Sequence, residues 1–178
     1  MNRIVADLMR NNSLVPGLQT VALVLLVLLL LPFILMFALM RFLLQLSTLA
    51  IIWLCWSLNG NDLLIVYSNS PIWINYFEKG LLPIVGSRAH VLNWSERKRW
   101  PAFSLKTITF ALFRSEKEFN PMLIRFDLFK WPEKISFYAA FHDSKHGKDK
   151  SLLAIENRLS QILNQSINLR EYYPCSLT

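Results

Sequence analysis

The sequence predicts an α/β domain carried on an N-terminal transmembrane helix region. Three observations predict it: a charge-free apolar run between Arg10 and Arg41, a cluster of turn formers at Asn59-Gly60-Asn61-Asp62, and beyond that turn short apolar runs alternating with amphipathic stretches. Residues 1–60 carry only Arg3, Asp7, Arg10 and Arg41 as charges, and the rest of the 19 basic and 12 acidic residues lie beyond them. This distribution excludes a wholly soluble protein, a disordered chain and a polytopic transporter, and 2 cysteines in 178 residues exclude a disulfide-dense module.

Leu18 to Met40 is a nearly unbroken run of Leu, Val, Phe, Ile, Met and Ala, 23 residues long. At ~1.5 Å per helical residue, about 20 residues cross a ~30 Å hydrocarbon core, so the run is long enough to span a bilayer. A secretory signal would have an apolar core of about 7 to 15 residues ending in a small-residue cleavage site. Neither feature is present, and the run reads as an uncleaved anchor in an inner or plasma membrane. Residues 42–58 are also uncharged. They either lie along the interface or protrude as a helix, with Trp53 and Trp56 at headgroup level beside Arg41, or return as a second span; the lack of Gly, Pro or Asn at residues 37–42 favours the former. Residues 1–17 place Ile4, Val5, Leu8 and Met9 opposite Arg3, Asp7 and Arg10, as in an amphipathic surface segment. Arg41 and the basic domain that follows place that domain on the cytoplasmic side.

The domain runs from 61 to 178. Leu63 to Tyr67 is a short apolar run of the kind buried on both faces, a central strand. Ser68-Asn69-Ser70-Pro71 makes a turn with Ser70 as helix cap, and Ile72, Trp73, Tyr76, Phe77 and Leu81 recur at helical spacing up to Gly86. Arg88 to Trp94 is the next strand. Strand, helix and strand in this order form a right-handed crossover with parallel strands, so the loops after both strands emerge on one sheet edge, where α/β proteins bind ligands. In Ser104 to Phe113, Leu105, Ile108 and Leu112 fit a helix capped by Ser104, while the Thr and Phe content also suits a strand; the helix is the reading taken. Met122 to Phe129 and Ile135 to Phe141 form an antiparallel hairpin turning at Trp131-Pro132-Glu133-Lys134. Asp149 caps a last helix with Leu152, Ile155, Leu159, Ile162 and Leu163 on one stripe, and Tyr172 to Thr178 form a loose tail.

The order β, α, β, α, β, β, α, with Pro121 just before the third strand, resembles the thioredoxin-like fold over residues 62–167, with a four-stranded mixed sheet. The resemblance implies a ligand loop after the first strand and a cis proline beside it, the groove between them receiving extended peptides or thiol ligands. Here the loop is Ser68-Asn69-Ser70-Pro71-Ile72-Trp73, without a cysteine, and the only cysteines are Cys55 and Cys175. Thiol–disulfide exchange needs an attacking thiolate and a resolving thiol. The expectation is a non-redox interaction module, with Ser68, Asn69, Ser70 and Pro121 lining its groove.

Asn93-Trp94-Ser95-Glu96-Arg97-Lys98-Arg99-Trp100 gathers three cations between two tryptophans. It can serve as an anion site through Asn93, Ser95, Arg97 and Arg99, as a lipid-facing patch with Trp94 and Trp100 at the interface, or as a solvated loop. Ser68, Asn69 and Ser70 can equally be plain turn and cap residues. A transferase or hydrolase acting on a lipid-linked or phosphorylated substrate through Arg97, Arg99 and Glu96 is the rival function. It lacks a coupled acid, base and nucleophile. His142, His146 and His90 lack a zinc-ligand spacing, no phosphate-cradling glycine loop is present, and the basic residues form no nucleic-acid stripe. No metal or cofactor is expected, and the expected partners are the bilayer and another membrane protein or peptide segment.

Overall fold

The computed structural model describes residues 2–117, 119–164 and 169, with side chains from Gln19 onward. The amphipathic face expected in residues 1–17 and the tail from Tyr172, with Cys175, lie outside the described residues. The chain forms two compact units, Met1–Leu44 and Gln45–Thr178.

Helix α1 (Asn2–Cys55) is a single helix of 54 residues, long and apolar enough to cross a membrane. Every described side chain from Gln19 to Leu44, Arg41 included, is exposed. No turn interrupts the helix near Arg41, so residues 42–58 are not a second span: the segment has no hairpin former and continues as helix. From Gln45 the helix belongs to the second unit, which therefore begins ahead of the Asn59–Asp62 turn where the sequence placed the boundary. Gln45, Thr48, Leu49, Ile52 and Trp56 recur every three or four residues and form the stripe that meets the sheet. Thr48, Leu49 and Ile52 are buried and Trp56 is only 5% exposed, while the Gln45 amide donates to the Leu112 carbonyl at 2.9 Å and the Trp53 indole N–H to the Asp127 carbonyl at 3.1 Å. Trp56 is thus a core residue, not a headgroup contact. Gly60, at φ 77°, ends the short turn after α1, a left-handed position that glycine occupies without a Cβ clash.

The second unit is mixed α/β with a four-stranded mixed sheet in the order β2-β1-β3-β4. Strand β1 (Leu63–Tyr67) is buried along its whole length. It pairs in parallel with β2 (Ala89–Asn93), from Leu63↔Ala89 to Tyr67↔Asn93, and antiparallel with β3 (Met122–Arg125), from Val66↔Met122 to Leu63↔Arg125. Strand β4 (Glu133–Ser136) closes the other border, antiparallel to β3, and Glu133 accepts from Arg158 Nε at 2.8 Å.

Because successive strand residues face opposite sides, β1 feeds two cores. Leu63, Ile65 and Tyr67 pack with Tyr76, Phe77 and Phe137, whereas Leu64 and Val66 pack with Leu49 and Ile52 of α1 and with Trp56 just after it. The helix between β1 and β2 is irregular. A π-helical stretch, Tyr76–Leu81, precedes α2 (Leu82–Val85), and the Leu82 N–H donates to the Phe77 carbonyl, five residues back. Pro83, which has no N–H to give, follows directly. Helix α3 (Leu105–Phe113) starts as expected: Ser104 Oγ accepts from the Thr107 N–H at 3.2 Å.

The hairpin is shorter than its alternation suggested. Residues 126–132 form a loop, and Phe137 to Phe141 do not continue the strand but enter α4 (Tyr138–Lys145). Phe137, Ala140 and Phe141 have helical spacing as well as apolar character, all three are buried, and the Ala139-Ala140 pair favours the helix. Helix α5 (Lys150–Leu163) buries Leu152, Leu159, Ile162 and Leu163. Asp149 does not cap it through its side chain. Asp149 Oδ1 accepts from Ser144 Oγ at 2.7 Å and Asp143 Oδ2 accepts from Ser151 Oγ at 2.8 Å, a reciprocal clasp across the α4–α5 corner.

Candidate functional site

Parallel pairing of Tyr67 with Asn93 brings the loop Ser68–Pro71 and the loop Trp94–Arg99 to one edge of the sheet. Antiparallel pairing of Val66 with Met122 puts Pro121 one step further along, level with Tyr67, and the Asn120–Pro121 bond is cis. Ser68, Asn69, Ser70, Asn93, Ser95 and Pro121 therefore share this edge.

The two loops are tied to each other. The Asn69 N–H donates to Ser95 Oγ at 3.0 Å, Asn93 Nδ2 donates to Asn69 Oδ1 at 2.6 Å, and the Ser95 N–H donates to Asn93 Oδ1 at 3.0 Å. Ser68 Oγ accepts from the Trp73 indole at 3.3 Å, and the Ser70 carbonyl accepts from the N–H groups of Trp73 and Ile74. Asn69 thus spends its N–H inside the protein. Residues 71–73 form a turn, 74–75 are helical, and the chain then enters the π-helical stretch, so the segment after this loop begins irregularly. Tyr67 donates its hydroxyl to Glu78 Oε1 at 3.0 Å; burial first, then this bond, pushes the phenol up to about 12.

Trp94 to Arg99 form a short 3₁₀ segment, with Asn93 as its cap. Trp94 and Trp100 are half-buried. Their rings meet edge to face at 5.7 Å, and each stands 5.7 Å from Phe110; Trp94 is also 4.8 Å from Phe119, and the Trp100 indole donates to the Asn93 carbonyl at 3.1 Å. Both tryptophans therefore pack against the core under α3 while keeping part of each ring exposed. Arg97 folds back over Trp94, 5.1 Å from the ring, and Nη1 donates to the Trp94 carbonyl at 3.4 Å. Arg114 lies over Phe119 in the same way, at 5.2 Å. Lys98 and Arg99 are exposed and, among the described residues, have no hydrogen-bond or ion-pair partner. Phe103, four residues on, is 93% exposed.

Next to Pro121 is an open pocket of about 410 Å³ lined by Lys117, Phe119, Asn120 and Tyr138. Asn120 Oδ1 is buried there without a hydrogen-bond partner. Sequence reasoning missed Phe103, Phe119, Asn120 and Tyr138. An aromatic placed just before the Ser104 cap was a usable signal for Phe103, whereas the pocket residues meet only through the turn from α3 into β3 and the start of α4.

His142 and His146 are one turn apart, with rings 5.0 Å from each other, and His90 is on β2. Among the described residues no group of three His, Cys, Asp or Glu side chains is arranged to hold a metal ion. Cys55 is exposed on α1. Glu96, Arg97 and Arg99 share one 3₁₀ segment, but among the described residues no hydrogen bond or ion pair joins their side chains. No family model, curated protein or solved structure matches this chain.

Proposed function

We propose that this chain is a membrane-anchored, thioredoxin-like module that binds an extended protein segment at the edge formed by Ser68–Pro71 and Asn120–Pro121, without redox chemistry. The observation that carries the reading is the strand order β2-β1-β3-β4 with the third strand antiparallel to its neighbour β1, which sets Pro121 beside the end of β1. That is where the thioredoxin-like resemblance puts its ligand groove. The loop facing it holds serines and asparagine in place of thiols. The open pocket lined by Phe119 and Tyr138 beside Pro121 suits an apolar side chain of a bound segment. The anchor rests on the length and full exposure of the apolar part of α1, and the basic domain supports a cytoplasmic side.

The test is binding of a library of extended peptides to the full chain in lipid nanodiscs. Expected are peptides whose affinity falls at least tenfold in Tyr138→Ala and is unchanged when Cys55 and Cys175 are both replaced by serine. Absence of any peptide binding, or binding that needs either thiol, rejects the reading. Resistance of the chain to alkaline carbonate extraction checks the anchor separately. No observation favours the transferase or hydrolase reading, since Arg97 is engaged with Trp94.

A further inference from the structure

The loop that leaves β2 carries side chains for which the fold has no internal use. Trp94 and Trp100 turn inward and Arg97 covers Trp94, but Lys98 and Arg99 point to solvent, and the four ion pairs among the described residues all lie elsewhere. An unpaired pair of cations leaves a positive field over this part of the surface. Phe103 stands immediately before the Ser104 cap of α3. An apolar residue at that position commonly folds onto the fourth helical residue, here Ile108, and fixes the entry of the chain into the helix. At 93% exposure Phe103 is not folded onto the helix, and its ring stands in water four residues beyond Arg99 in the chain.

We propose that Lys98, Arg99 and Phe103 form a docking surface for an anionic lipid bilayer, the cations meeting headgroup phosphates and the phenyl ring entering the interfacial layer. Charge complementarity selects this occupant. Two exposed basic side chains followed within five residues by an exposed aromatic ring combine electrostatic attraction with burial of apolar area, the two contributions by which interfacial segments hold a membrane surface. The chain's own apolar helix keeps a bilayer within reach, so the inference rests on the anchor in the preceding reading. It is independent of the peptide groove.

The test uses the full chain with Cys55→Ser and Cys175→Ser, labelled at Phe103→Cys with an environment-sensitive fluorophore and inserted into nanodiscs of phosphatidylcholine alone or mixed with phosphatidylglycerol. Phe103 is exposed, so the label replaces no core contact. In the anionic discs the emission is expected to shift to the blue and to be quenched by brominated acyl chains. Lys98→Gln with Arg99→Gln should reduce the docked population on the order of tenfold, and high salt should release it. The same label at Lys148→Cys should remain aqueous in both lipids. A Phe103 label that stays aqueous in anionic discs, or a shift equal in both lipids and indifferent to salt, overturns the docking surface while leaving the anchor intact. Failure of the chain to insert into discs at all overturns the anchor and the docking surface together.

Discussion

The indole of Trp56, at the end of the part of α1 that joins the second unit, lies 4.2 Å from the imidazole of His90 on β2, tilted by 47°. A second aromatic contact, edge to face at 5.9 Å, joins Trp56 to Phe126. The end of the helix from Gln45 onward is therefore a structural part of the α/β unit. Trp56→Ala is expected to destabilise that unit by about 3–5 kcal/mol, the usual cost of deleting a large buried aromatic, measured by denaturant unfolding of the full chain in detergent micelles. A change below ~1 kcal/mol would mean that this end of α1 does not pack on the sheet.

His90 gives the same contact a pH dependence. Burial, and then the positive charge of Lys106, hold its pKa below the ordinary 6.5, and Nε2 has no hydrogen-bond partner. The unfolded chain therefore takes up the proton more readily than the folded one. Stability is complete above about pH 6.5 and declines as the pH falls through that value. Unfolding midpoints at pH 8 and pH 5 should differ in this direction, and His90→Gln should flatten the difference.

Tyr67 behaves in the opposite sense. Its phenol, pushed up to about 12 by burial and by Glu78, prefers to stay protonated in the folded state. The stability it contributes is present below pH 10 and is lost as the pH rises from 10 towards 12. Ultraviolet titration should show a late-ionising tyrosine component, and Tyr67→Phe should diminish it.

The clasp across the α4–α5 corner is open to a direct test. Ser151→Ala removes the donor to Asp143 and is expected to cost about 1 kcal/mol, within the range of a partly exposed hydrogen bond to a carboxylate. Hydrogen exchange in α4 should quicken. Unchanged protection would show that the two helices are held by their apolar faces alone.

Much of this fold was legible in the residues. The run Leu63 to Tyr67 announced a strand buried on both faces, because that pattern has one good local solution; residues 104–113 suited a strand as well as a helix, and the Ser104 cap on the Thr107 N–H goes with the helix. Phe137 to Phe141 was misread because its apolar positions satisfy both periods, and only the aromatic core beneath decides for a helix. Trp94 and Trp100 looked like interface residues from composition alone. Their direction is set by Phe110 and Phe119, distant in sequence, which no local pattern reveals. The role of Gln45 to Trp56 was hidden for a related reason: a helix stripe that meets a sheet and one that meets lipid are made of similar side chains.

Strand β4 bears on how copies of this chain live side by side. It is four residues long, with Glu133 held by Arg158 and the exposed Lys134 next to it. A bare strand border would let neighbouring copies zip together into a growing sheet. A short border studded with opposite charges denies an incoming strand both register and a dry seam, so close encounters between copies need not end in aggregation.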